Sequence, residues 1–144
     1  MFRPNSARKP QPSSRQRYEA KRGSARERGY DAQWDRAALH FKEGAPLCLG
    51  CEAIGRLTPT TVVDHVVPHR GDRELFWNEG LWQPSCDWHH NVVKKQLEAK
   101  FDRGSIGVAD LWLDSPTAKA LTVHLLPDRD ELDEDGGEVE SRGL

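Results

Sequence analysis

Hydrophobic residues recur at helical intervals over residues 31–43, which predicts a helix that ends at the glycine and proline immediately after it. Farther along, residues 60–67 are rich in β-branched side chains and stop at a proline, which is the pattern of a short strand. Leu81, Trp82 and Gln83 stand directly before Pro84 and predict a second short strand.

A second helical pattern covers residues 89–101, with an apolar stripe formed by Val93, Leu97 and Phe101. His90 lies three residues before Val93 and is expected on the same inward stripe, whereas His89 is turned about 100° away. Ser115 followed by Pro116 predicts the N-cap and first position of a last helix.

Charge divides the chain into three parts. Residues 1–28 carry nine Lys/Arg and two acids, and residues 128–144 carry eight acids and two arginines. Residues 29–127 hold nearly all of the aromatic and aliphatic side chains. We therefore expect a disordered basic arm, a folded domain over 29–127 and a disordered acidic tail. The spacing of the Arg and Lys residues in the basic arm indicates binding along a polyanion. The alternative is that the arm only keeps the protein in solution.

The length of 144 residues allows one domain and little more. No run of about 18 apolar residues is present, so we expect no transmembrane helix. The first residues have no apolar stretch behind their charge, so we expect no secretory signal. The predicted location is the bacterial or host cytosol.

Cysteine spacing indicates a metal centre. Cys48 and Cys51 form one pair with two residues between them, and Cys86 with His89 repeats that spacing after 34 intervening residues. Two such pairs suit tetrahedral zinc, because each short turn brings two ligands to one side of the ion. All three cysteines of the chain are used. A redox pair or simply buried thiols are the alternatives.

A second polar group consists of Asp64 and His65, which lie between the two ligand pairs, and His90, which directly follows the second pair. Asp64 and His65 are adjacent in the predicted strand and point to opposite faces, so they are not both ordinary core residues. His90 begins the later helix. An aspartate and a histidine can hold a divalent ion while leaving positions open for phosphate and water, and a second, neutral histidine can act as a general base.

The ordered segments CLGC, VVDHVVPHRGDRELFW and WQPSCDWHHNVVKKQLE resemble the HNH endonucleases, especially the small bacteriophage and prophage type. The resemblance covers about residues 30–103. It implies an α+β fold with a small ββα-metal core, a zinc knuckle and flanking helices, and makes residues 29–127 an HNH nuclease domain. DNA is the implied partner. Similar proteins commonly act beside phage terminase or other packaging proteins.

Position by position, the resemblance makes His65 the general base that deprotonates the attacking water. It makes Asp64 and His90 the ligands of a catalytic divalent ion, Mg²⁺ or another such as Mn²⁺. Arg70 and Lys94 match basic positions near DNA phosphates. The structural zinc set is Cys48, Cys51, Cys86 and His89.

One position departs from the family pattern. Leu81 stands where the family usually has an asparagine that braces the loop orienting the general base, and leucine has no polar atom for this purpose. Asn78 is a candidate substitute. The sequence therefore leaves two main hypotheses, a metal-dependent DNA endonuclease and a zinc-stapled DNA-binding module without cleavage. A redox protein would need a thioredoxin-like βαβ context that the pattern lacks.

Overall fold

The computed structural model describes residues 10–17 and 23–127. The predictions for residues 1–9 and 18–22 of the basic arm, and for the whole acidic tail, lie outside the described residues. The chain divides into two units, Met1–Arg36 and Ala37–Leu144. Within the first unit, residues 14–17 form a helical turn. No helix in the described part of the chain is long and apolar enough to cross a membrane.

The fold is mixed, with helices and a small antiparallel sheet. The α-helices are α1 (Ala32–Gly44), α2 (Leu49–Ala53), α3 (Arg73–Phe76), α4 (Lys94–Asp102) and α5 (Pro116–Leu125). The strands are β1 (Val62–His65) and β2 (Trp82–Ser85). Short 3-10 turns cover Glu79–Leu81 and Val108–Leu111, and a π-helical turn covers His89–Val93. The predictions of α1, β1, β2, α4 and α5 are therefore confirmed, with small shifts of the bounds, whereas the short helices α2 and α3 were not predicted.

The two strands pair so that the polar residues of β1 face specific partners on β2. Asp64 lies opposite Gln83, and His65 lies opposite Trp82. Because directly opposed residues in an antiparallel pair share a face of the sheet, each of these β1 side chains has its β2 partner beside it. The sheet thus fixes two separate polar environments, one on each face.

The buried core of the second unit lies behind this sheet and joins α4, the following 3-10 turn and α5. Its buried members are Val66, Val93, Leu97, Leu111, Leu113 and Ala118. Ser115 begins α5 as predicted, because its side chain accepts a hydrogen bond from the Ala118 N–H. The core therefore holds the C-terminal helix against the segment that carries the histidines.

The inward face of the segment after β2 differs from the prediction. His89 is fully buried, whereas the side chain of His90 is 38% exposed. The reason is the π-helical turn, whose wider spacing places His89 on the same inward face as Val93 and Lys94. A regular 3.6-residue spacing had assigned that face to His90 instead.

Candidate metal centre and adjoining histidine cluster

The first cysteine pair is held by a closed loop. The Cys48 N–H donates to the Thr58 carbonyl at 2.8 Å, and Leu47 forms a bridge with Pro59. Cys51 lies within α2, one turn after Cys48. The short helix and its closing bridge therefore turn both thiols toward the same side.

The four predicted zinc ligands converge in the folded structure. The His89 Nδ1 lies 3.6, 3.4 and 3.5 Å from the sulfurs of Cys48, Cys51 and Cys86, and the Cys51 and Cys86 sulfurs are 3.8 Å apart. A tetrahedral zinc ion with ordinary bond lengths needs sulfur–nitrogen separations of about 3.6 Å and sulfur–sulfur separations of about 3.8 Å. All four residues are buried, and their ligand atoms lie within 4.8 Å of one another. The donor set thus fits a structural metal ion such as zinc.

Residues outside the four ligands fix the orientation of His89. The Thr122 hydroxyl donates to the Ala118 carbonyl at 2.8 Å, so it accepts from the His89 Nε2–H at 3.2 Å. This places a proton on Nε2, so Nδ1, which faces the sulfurs, is the nitrogen that would bind a metal ion through its lone pair. Gly50 also approaches the ring, so closely that a Cβ there would lie 2.3 Å from His89 Cδ2.

The thiols have strongly shifted acidities. Burial raises the pKa of Cys48, but the hydrogen bonds that the thiolate forms with His89 and with the backbone of Cys51 and Cys86, and the charge of His89, together outweigh burial and lower that pKa to about 6. Burial, reinforced by the neighbouring sulfurs, raises the pKa of Cys51 to about 12. Burial also raises the pKa of Cys86. Because three thiolates in contact repel one another, a bound cation is the arrangement that lets all three ionise together.

The predicted Asp64–His90 pair also comes together. The Asp64 Oδ1 lies 2.8 Å from His90 Nδ1, and its Oδ2 accepts from the Gln83 amide at 2.8 Å. Burial raises the Asp64 pKa, but the hydrogen bonds from His90 and Gln83 and the charges of Lys94 and His90 together outweigh it, so the pKa lies below its ordinary value. Asp64 is therefore an ionised, buried carboxylate beside a partly exposed imidazole.

Lys94 is an internal member of this cluster. Its ammonium lies 3.1 Å from the Asp64 Oδ2, donates to the His65 carbonyl at 2.7 Å and donates to Glu98 at 3.0 Å. The side chain is 1% exposed, and these three acceptors match the three N–H bonds of an ammonium group. Lys94 thus lies inside the domain and not at the surface position expected of a phosphate contact.

His65 lies on the other side of the sheet from Asp64. Its Nε2 donates to the Phe76 carbonyl at 2.9 Å, and its ring packs against Phe76 and His69 with centroids 4.9 Å away in each case. Burial lowers the pKa of His65 to about 4, because the Phe76 hydrogen bond offsets desolvation only in part. His65 is therefore neutral at pH 7, with its proton on Nε2 and the lone pair on Nδ1.

The remaining positions singled out from the sequence lie around the connection between the strands. Arg70 adopts a left-handed backbone conformation with φ of 48°, and its exposed guanidinium forms an ion pair with Asp102. The Leu81 side chain packs against the hydrophobic core. The Asn78 side chain accepts from the Gly80 N–H at 3.1 Å and so caps the 3-10 turn. Nothing in these contacts makes Asn78 a brace for His65.

Sequence reasoning missed Gln83, which is completely buried and links three segments. Its amide nitrogen donates to Asp64 and to the Leu111 carbonyl at 3.2 Å, while its oxygen accepts from the Leu113 N–H at 2.8 Å. The sequence did contain a signal, namely a glutamine inside the predicted second strand. If such an amide is buried, it needs polar partners. The identity of those partners depends on the register of the sheet.

The two clusters share one segment of backbone. His89 belongs to the metal centre, and the next residue, His90, contacts Asp64. A metal ion at the cysteine cluster would therefore also fix the segment that presents His90.

None of the protein-family models, curated proteins and solved structures compared with the chain matches it. The site must therefore be interpreted from its own chemistry.

Proposed function

We propose that this protein is a metal-dependent HNH endonuclease that hydrolyses DNA phosphodiester bonds and is associated with phage or prophage. The observation that carries the proposal is the contact between Asp64 and His90, with the neutral His65 on the neighbouring position of the same strand. The four-ligand cluster that fits zinc supports it, because it would fix the segment on which His90 lies.

In this proposal, Asp64 and His90 hold a catalytic divalent ion such as Mg²⁺ or Mn²⁺. The ion would supply charge stabilisation at the scissile phosphate and at the leaving oxygen. Asp64 suits the role because it is ionised despite its burial, and Gln83 holds one of its oxygens. The exposed part of His90 leaves that side of the pair accessible to a phosphate.

His65 would act as the general base. Its Nε2–H is committed to the Phe76 carbonyl, so Nδ1 is the nitrogen that takes the proton from the attacking water. Its lowered pKa keeps the imidazole unprotonated at neutral pH, which is the form a base requires. The same burial makes it a weak base, so its contribution depends on orientation toward the water.

A DNA-binding module without cleavage is the second candidate, and one observation favours it. The Lys94 ammonium lies 3.1 Å from Asp64 and already neutralises the carboxylate. A divalent ion would have to share Asp64 with this cation or displace it, which weakens the ion's binding. In that case the Asp64–His90 pair would be a structural contact.

Cleavage of supercoiled plasmid distinguishes the two candidates. Purified protein of known zinc content is incubated with Mg²⁺, Mn²⁺ or EDTA, together with a His65→Ala variant. His124→Ala, on the exposed face of α5, is the matched control. We expect cleavage only with the added ion, a loss of about 10²- to 10⁴-fold in His65→Ala and wild-type rates in His124→Ala. DNA binding without cleavage in the presence of each ion would instead support the DNA-binding module.

A further inference from the structure

We propose that Trp82 is the positioning residue for His65 and acts through the Phe76 carbonyl. This inference rests on the proposed function, because it assigns His65 a role that depends on orientation. It also answers the question raised by Leu81, which stands where the HNH resemblance expects a polar brace.

Two buried donors converge on a single oxygen. The Phe76 carbonyl accepts from the Trp82 indole Nε1–H at 3.0 Å and from the His65 Nε2–H at 2.9 Å. Trp82 and Phe76 are 3% and 1% exposed, so water does not compete for the oxygen. A carbonyl oxygen has two lone pairs, and here each receives one N–H. The indole thus fixes the direction of the acceptor to which His65 is tied.

The place of the oxygen in the fold explains why it needs this support. Phe76 is the last residue of α3. The last carbonyls of a helix receive no hydrogen bond from an N–H of the same helix, so they need donors from elsewhere. Phe76 also lies within the connection between β1 and β2, residues 66–81. Trp82 begins β2 directly opposite His65, so its indole ties that connection back to the sheet.

Leu81 performs a different task. Its carbonyl accepts from the Val66 N–H at 2.8 Å, and its side chain packs in the core, so it closes the connection through backbone and apolar contacts alone. The hydrogen bond from a side chain to this connection comes from the next residue, because the Trp82 indole N–H donates to the Phe76 carbonyl. We therefore assign to the indole the bracing role that the resemblance gives to an asparagine.

Packing of the Trp82 ring can be separated from its hydrogen bond. The ring lies against Phe41 at 5.7 Å and Trp77 at 6.2 Å between centroids. Trp82→Phe keeps an aromatic ring among these neighbours and removes the N–H. Trp112→Phe makes the same chemical change against the hydrophobic core and is the matched control.

The test has two readouts on the full-length, zinc-loaded protein. Nitrogen-15 NMR of the imidazole rings, with the His65 signals assigned through the loss they suffer in His65→Ala, reports which ring nitrogen carries the proton. Steady-state cleavage of DNA with Mg²⁺ separates kcat from KM. In wild type and Trp112→Phe we expect a protonated Nε2 and an unchanged kcat.

In Trp82→Phe we expect His65 signals that move toward a mixture of tautomers, together with a kcat about 10- to 100-fold lower at unchanged KM and zinc content. Unchanged ring signals, or altered signals with a wild-type kcat, would each overturn the assignment. If wild type does not cleave DNA, the proposed function fails, while the NMR comparison still decides whether Trp82 holds His65. If Trp82→Phe lost the NMR spectrum of a folded protein while Trp112→Phe kept it, this would also count against the assignment, because the main role of Trp82 would then be packing.

Discussion

Gly50 provides a direct test of the metal centre, because its lack of a side chain is required by the ring of His89. A Cβ at this position would lie 2.3 Å from His89 Cδ2, 2.5 Å from Nε2 and 2.9 Å from Cγ. Ordinary van der Waals contact begins at 3.4 Å, so the ring must move by about 1 Å. The ring is fully buried and its Nε2 is hydrogen-bonded to Thr122, so a shift of this size would also disturb that bond.

The displacement is large compared with what a metal ion tolerates. Ligand distances in zinc sites are kept within about 0.2 Å of their ordinary values. A shift of about 1 Å at Nδ1 therefore removes one of four ligands in Gly50→Ala. We expect zinc affinity to fall by more than about 100-fold, because this loss exceeds the change caused by altering a residue that only orients a ligand.

Competition with a chromogenic chelator measures the affinity, and thermal unfolding followed by circular dichroism measures the consequence for stability. Gly44→Ala is the matched control, since a Cβ there meets nothing within 4 Å. We expect Gly44→Ala to bind zinc like wild type. Zinc affinity within twofold of wild type in Gly50→Ala would refute the placement of His89 as a ligand.

Three further predictions concern the groups around the two clusters. Thr122→Val removes the acceptor for the His89 Nε2–H, and chelator competition should show zinc binding weakened by about 10-fold or more; an unchanged affinity would exclude this orienting role. Asp64→Ala should raise the Mn²⁺ concentration needed for half-maximal cleavage and keep the zinc, as measured by metal analysis; an unchanged requirement would remove Asp64 from the catalytic site. His65 has its pKa lowered from 6.5 to about 4, so the folded state binds its proton less readily than the unfolded state. Its contribution to stability is thus complete above pH 6.5 and is lost as pH falls toward 4, and urea unfolding of wild type against His65→Asn should show the gap between them change over that window. A constant gap would mean that His65 titrates normally.

The sequence by itself determined the three longer helices, the two strands and the set of metal ligands, but not the short helices α2 and α3. Hydrophobic spacing, β-branched runs and the Ser115 cap are local signals, and helices and short strands respond to them directly. The four ligands were recognisable because each pair lies within one short turn, where spacing alone fixes which side the donors face. Residue chemistry had grouped Asp64, His65 and His90 as a second polar cluster, and the family resemblance then assigned Asp64 and His90 to one ion.

Tertiary structure decided which residues support these groups. The burial of Lys94 and the inward turn of His89 follow from a π-helical turn that hydrophobic periodicity does not encode. The partners of Gln83, Trp82 and Thr122 come from register and helix packing, across separations of 6 to 33 residues. Such contacts depend on how the folded helices and strands pack against one another, because a hydrogen bond requires its two heavy atoms to lie within about 3 Å and to be correctly oriented. A single sequence specifies the chemistry of each donor, and only the folded chain selects its acceptor.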